Sequence, residues 1–269
     1  EGGGSQTRSL RLKSPSGVTY SLRSINKYPD SHVPEFARTL GLENIVNDGI
    51  SAQHPYGAVT AAALAEEAGL LSTHPVPVFI PTQDVLGKYN EQYGNKLFLL
   101  EYETEGEINW TDIENVTEIL DTEDLQELKK EYGEKVQIDK NLLVRARLFD
   151  LLIGDWDRHA NQWGWVIQKK GDSYHAIPLA GDRDNAFFIL EGLIPGIISN
   201  KNIQPLVRPF EAEIDYLPGL VYPIDVYFLK NFPEEVFIKE AKYLQEVLTD
   251  EKIESAMKSW PTQIYNLNG

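Results

Sequence analysis

Cysteine is absent from this 269-residue chain. That excludes disulfides, thiolate metal sites and thiol nucleophiles, and it leaves the redox compartment open. Also missing is any apolar run near the roughly 18 residues that a bilayer-spanning helix needs. Positive charge is scarce: 25 Lys and Arg stand against 41 Asp and Glu, a formal charge of −16. So acidic a surface repels nucleic-acid backbones and anionic headgroups, so no nucleic acid is expected among the partners. An anionic substrate in a local basic pocket stays compatible with it. The chain opens on Glu1 rather than Met, which reads as a domain excised or processed from a longer product.

What is present suits a soluble globular protein: 42% of residues are hydrophobic and 25% charged, enough for one large domain or two lobes sharing a cleft. Alternation over Ser9–Leu12 and again over Val18–Lys27, around Ser14-Pro15-Ser16-Gly17, predicts a hairpin. Tyr56–Ala68 reads as a helix, and Val76–Ile80 and Lys96–Tyr102 as short strands. The acidic run Glu101–Glu107 then marks a lobe boundary, giving residues 1–103 and 104–269. Beyond it Thr111–Leu120 and Thr122–Tyr132 read as capped helices, and Asn141–Ile153 as a buried one. Two strands follow, Trp163–Gln168 and Tyr174–Leu179, and Pro233–Val247 is helical again. Strands early and helices late predict an α+β fold of two lobes, a small sheet lobe and a mostly helical one.

Three clusters carry candidate chemistry. Ile153-Gly154-Asp155-Trp156-Asp157-Arg158-His159-Ala160-Asn161-Gln162-Trp163 leaves a buried helix and enters a strand. On residue types alone it is either a solvated turn with an Asp–Arg pair or the lining of a cleft. Ala180-Gly181-Asp182-Arg183-Asp184-Asn185-Ala186-Phe187 follows the next strand, so Asp157 and Asp182 can converge on a divalent cation. At the start, Gly3, Gly4, Ser5, Gln6 and Thr7 lead into the hairpin, as a phosphate cradle or merely a linker. Ile25 shares a strand face with Lys27, so that one can roof a flat base while the other reaches its phosphates. Trp156, Trp163 and Trp165 read as core packing, and His54 and His175 as structural.

The first of these loops resembles the catalytic loop of atypical kinases: the HipA toxin kinases, type II phosphatidylinositol 4-kinases and secretory-pathway kinases. Asp182–Phe187 resembles their metal-binding loop. Most of the chain is also similar to a group of bacterial envelope proteins with Ile-Gly-Asp-Trp-Asp-Arg-His and Asp-Arg-Asp motifs, joined to other envelope modules. The resemblance implies a two-lobed protein-kinase-like fold that binds ATP and Mg²⁺ and phosphorylates a hydroxyl of protein, glycan or lipid. It implies Asp157, with Arg158 and His159, in the catalytic loop, and Asp182 as metal ligand, with Asn161, Gln162 and Asp184 beside it. Lys27 would pair with the phosphates, and Leu99–Tyr102, through Leu100, Glu101 and Tyr102, would form a hinge for the adenine. The acidic partner of Lys27 stays open: Glu66 and Glu67 sit at the far end of their helix, and Asp48 or Gln53 are substitutes. The same resemblance implies a cell-envelope location and covalent fusion to other envelope domains, with the cytoplasm still open. Two other readings remain: a kinase-fold module that binds nucleotide or a partner without turnover, and a metal-dependent hydrolase built on Asp155, Asp157 and His159.

Overall fold

The computed structural model of the protein describes residues 9–25, 56–189, 210–214 and 217–268. The early alternation forms a hairpin, with β1 (Ser9–Lys13) antiparallel to β2 (Thr19–Ser24). β3 (Val76–Ile80) and β4 (Lys96–Tyr102) complete a four-stranded antiparallel sheet in the order β1-β2-β4-β3. Because side chains alternate across a strand, register sorts this sheet into two faces. Leu22, Leu100 and Val76 align on one face, where Leu22 and Phe98 pack with Tyr93. Ser21, Arg23, Leu99 and Glu101 point the other way.

A second sheet has the order β5-β7-β8-β6, from β5 (Val116–Asp121), β6 (Val136–Ile138), β7 (Trp163–Lys170) and β8 (Ser173–Ala180). Only β6 runs parallel to its neighbour. Around it lie α3 (Thr122–Tyr132), α4 (Lys140–Leu152), α5 (Pro223–Leu229), α6 (Glu234–Val247), α7 (Asp250–Met257) and α8 (Thr262–Asn268). Among the described residues the earlier helices are α1 (Gly57–Glu67) and the single turn α2 (Asn90–Tyr93). A small antiparallel sheet followed by a mostly helical part is the α+β layout of two lobes expected from the sequence.

Two findings depart from expectation. Thr111–Leu120 is not a helix: its second half is β5, which pairs with β7. Val116, Thr117 and Ile119 are β-branched, and Ile119 is buried between exposed Thr117 and the rest of the strand, so packing on β7 outweighs the capping signal at Thr111. In addition α1, although within residues 1–103, buries Ala61, Leu64 and Ala65 in the core shared by Phe149 of α4 and Trp163 of β7. Small Ala side chains let that helix approach closely. Trp260 caps the contact by donating its indole N–H to Thr60.

The strand assignment is testable by truncation. Ile119→Ala should cost about 2–5 kcal/mol in urea unfolding, as for a fully buried aliphatic side chain. Exposed Glu114→Ala should stay within about 0.5 kcal/mol of the parent.

Candidate active site

The site is organised by charges that an apolar helix would ordinarily exclude. Arg147 and Asp150, one turn apart on α4, face the core, and Asp150 has no exposed surface. Around it stand three guanidiniums: Arg147 Nη1 at 3.2 Å, Arg158 Nε at 3.1 Å and Arg183 Nε at 3.1 Å. Burial works against the charge of Asp150, but the three cations outweigh it and hold its pKa below the ordinary value. Arg147 also grips Asp225 on α5 with two nitrogens, at 2.7 and 3.0 Å.

Arg158 is fully buried and ties the two candidate loops together. One Nη donates to Asp155 of its own loop, and the other donates to the carbonyl of Gly181 at 2.5 Å. The Gly181 amide in turn donates to the Gln162 carbonyl at 2.9 Å. Both polar groups of Gly181 are thus spent on the opposite loop. Closeness here demands glycine: a Cβ at Gly181 would meet Thr104 Cγ2 at 2.6 Å. Burial pushes Asp155 up to about 8 even with Arg158 beside it.

Asp157 and Asp182 stand on either side of this join, and both fall within the electrostatic reach of Arg158. Asp157 is half-buried; its Oδ1 lies 3.4 Å from the Tyr222 hydroxyl and its Oδ2 3.4 Å from the Gln162 amide nitrogen. The same Tyr222 hydroxyl donates to the Trp156 carbonyl at 3.1 Å, and burial together with Asp157 pushes its pKa up to about 12. Asp182 takes a left-handed backbone, φ +52°. Its Oδ2 accepts from Arg23 Nη1 at 2.5 Å, a contact reaching from β2. Arg23 Nε is meanwhile 2.6 Å from Glu101 Oε1 on β4, and Glu101 Oε2 accepts from the Thr73 hydroxyl at 2.7 Å. Burial raises the pKa of Glu101 against the pull of Arg23. For Arg23 burial opposes the charge, but Asp182 and Glu101 together hold it more firmly protonated than an ordinary arginine.

The other sequence candidates fall differently. Gln162 is buried, and its Oε1 has no hydrogen-bond partner. Asn161 and His159 are exposed. Asp184 is half-buried and close enough to Arg23 to add to its charge stabilisation. Arg158 is a structural tie rather than a group open to substrate, because it is wholly enclosed. Asp155 is paired with Arg158, and His159 faces solvent. Among the described residues no group of three or more His, Asp or Glu side chains could hold a metal ion. The stretch expected as a hinge is the end of β4, and Leu100, Glu101 and Tyr102 all line one cavity. The Tyr102 amide donates to the Thr73 carbonyl at 2.9 Å, the Glu101 carboxylate is held by Arg23 and Thr73, and Leu100 faces the far side of the sheet beside Leu22 and Val76. Glu101 and Tyr102 pair with β2, whereas the pairing of β4 with β3 ends at Leu100. Ile25 is half-buried, its amide 3.5 Å from the Leu97 carbonyl. Gly3, Gly4, Ser5, Gln6, Thr7 and Lys27 lie outside the described residues. Trp163 and Trp165 are core, as expected.

A cavity of about 690 Å³ lies at the end of β4, lined by Leu71, His74, Leu100, Glu101, Tyr102 and Trp110 among others. Its aromatic wall is the stacked pair Tyr102 and Trp110, with ring centres 4.4 Å apart. Neither Asp157 nor Asp182 lines it, so size alone does not mark the chemistry.

No family model matches the chain, and no curated protein matches it. Among solved structures, the Helicobacter pylori proinflammatory kinase CtkA is similar over 94% of this chain and 83% of its own, with 14% sequence identity and a TM-score of 0.43. At that identity and score the likeness carries no conclusion about activity or site residues, which rest on the geometry above.

Missed by sequence reasoning were Arg23, Glu101 in its actual role, Asp150 and Tyr222. Arg23 had a signal, since it shares the alternating strand face of Ile25. Asp150 had one too, as an acid one turn from Arg147 in an otherwise apolar helix. Tyr222, 65 residues from Asp157, had none.

If Asp150 is the counter-charge for the three arginines, Asp150→Asn should lower unfolding stability by about 3–5 kcal/mol, the usual cost of leaving buried charge unpaired. A loss below about 1 kcal/mol in urea denaturation would show that the arginines find compensation elsewhere.

Proposed function

We propose that the chain is a Mg-ATP-dependent phosphotransferase acting on a hydroxyl acceptor. The observation that carries this is spatial. Asp157 and Asp182, on the loops that enter β7 and leave β8 at the same open end of the hairpin, both lie within electrostatic reach of one buried guanidinium, and Arg23 faces Asp182 from the other sheet. Phosphoryl transfer needs little covalent help from a protein, so two placed carboxylates and a cation form a sufficient set.

The donor set fits Mg²⁺. That ion prefers oxygen ligands and makes do with one or two carboxylates plus substrate phosphates, so a cage of three acids is not required. Asp182 supplies a carboxylate, and Gln162 supplies an enclosed Oε1 with no hydrogen-bond partner, the kind of orphaned acceptor that a cation satisfies. Asp182 and Gln162 would hold the metal, which when bound supplies neutralisation of phosphate charge. Asp157, steadied by Tyr222 and Gln162, orients the acceptor hydroxyl and takes its proton. Arg23 pairs with the phosphates from the sheet side. The acceptor is a hydroxyl of protein, glycan or lipid. A setting in the bacterial envelope, with fusion to other envelope domains, rests on the sequence resemblance alone. Among the described residues no helix is long and apolar enough to cross a membrane.

Titrating Mg-ATP while following thermal unfolding tests binding: at a hundredfold excess over Kd the protein should gain about 2.7 kcal/mol. Asp157→Asn should keep that shift but lose about 10²–10⁴-fold in phosphate transfer. Asp182→Asn should lose the magnesium dependence of the shift. Absence of any nucleotide-induced shift would sink the proposal, and a shift without transfer would identify a binding module instead.

A further inference from the structure

We infer that Glu101 and Thr73 are the positioning residues for the phosphate-facing Arg23, replacing an acid on helix α1. The inference rests on the phosphotransferase proposal above and concerns what keeps its cation in place.

Arg23 and Glu101 lie on adjacent paired strands. Arg23 is opposite Leu99 and Glu101 is opposite Ser21, so the two are diagonal neighbours on one face, within reach of long side chains. The tie is therefore intrinsic to the sheet. Glu101 is 6% exposed, and its second oxygen is fixed by the Thr73 hydroxyl, so the carboxylate cannot rotate away from Arg23. Thr73 is itself anchored, because its carbonyl accepts from the Tyr102 amide. Both acids near the end of α1 are used elsewhere: Glu66 meets His74 at 2.9 Å and Glu67 meets Lys252 at 2.6 Å. That helix is packed into the core of the other lobe.

A second partner is needed on chemical grounds. Asp182 Oδ2 holds Arg23 Nη1, and a cation bound to the same carboxylate would compete with the guanidinium for its charge. Arg23 must therefore keep its place when Asp182 is engaged elsewhere. Glu101 Oε1 pairs electrostatically with Nε at 2.6 Å, without a hydrogen bond from it, and the Nη end faces Asp182.

Calorimetric binding of Mg-ATP to the whole chain tests this. Glu101→Gln and Thr73→Val should each bind roughly tenfold more weakly, about 1.4 kcal/mol, and Thr73→Ser, which keeps the hydroxyl, should recover parent affinity. Adding Glu101→Gln to Arg23→Gln should cost nothing further, since a positioning residue acts only through the residue it holds. Glu66→Ala and Glu67→Ala should bind as the parent does. Parent-like affinity in Glu101→Gln, or losses that simply add in the double variant, would overturn the inference. A purely structural role would shift the urea midpoint without that non-additivity in binding. Should Glu101→Gln fail to fold, the Thr73→Val and Thr73→Ser pair decides alone. No binding by the parent would refute the phosphotransferase proposal itself, a failure separate from this one.

Discussion

Enclosing the guanidinium of Arg158 away from water is the constraint on which the other parts of the site depend. A buried charge is costly unless it is paired and fully hydrogen-bonded. Here the partners are Asp150 on α4, Asp155 in the same loop and the Gly181 carbonyl at the end of β8. Those three points belong to three different elements. To satisfy one cation, the chain must bring the helix, the loop and the strand end to a common place. Such a network adds little net stability compared with apolar packing. Its effect is to fix one arrangement, because every alternative leaves a charge stranded.

The consequence shows at Asp182. With the Gly181 amide and carbonyl both held by the opposite loop, the chain leaves β8 in a constrained direction, and Asp182 adopts φ +52°. A left-handed conformation costs a non-glycine residue on the order of 1 kcal/mol, less for Asp than for most. The surrounding hydrogen bonds outweigh that cost and aim the carboxylate at Arg23. The strain and the ion pair are two results of the same clamp.

Much of the architecture was legible because it follows from local pattern. Period-2 alternation marked β1 and β2, and the long apolar segment marked α4. The misassigned stretch, Thr111–Leu120, shows where local pattern loses: Thr111 and the following acids look like a helix start, but burial of Ile119 against β7 is a long-range energy that no window on the sequence contains. The two motif loops were legible because their residue types are too polar for a core crossing without purpose. Their mutual placement was not, since it is set by Arg147, Asp150 and Arg183, whose pairing spans up to 78 residues. Glu101 was visible, but for its backbone, as part of a hinge. It is the side chain that matters, and a carboxylate pointing across to Arg23 follows from strand register rather than from any local signal.

The choice of Glu101 over a helix acid alters how such a site can be controlled. A cation anchored by a helix is released when the helix swings, which makes the helix a switch. A cation anchored diagonally across two hydrogen-bonded strands moves only if the sheet itself deforms, and a four-stranded antiparallel sheet with a filled face resists that. Here α1 is committed to the opposite lobe through Ala61, Leu64 and Ala65, and its acids to His74 and Lys252. Motion of α1 would disturb the core long before it reached Arg23. Opening between the lobes must instead break the contact between Arg23 and Asp182. On the proposed reading, the Arg23–Asp182 ion pair bridges the gap across which phosphate would sit.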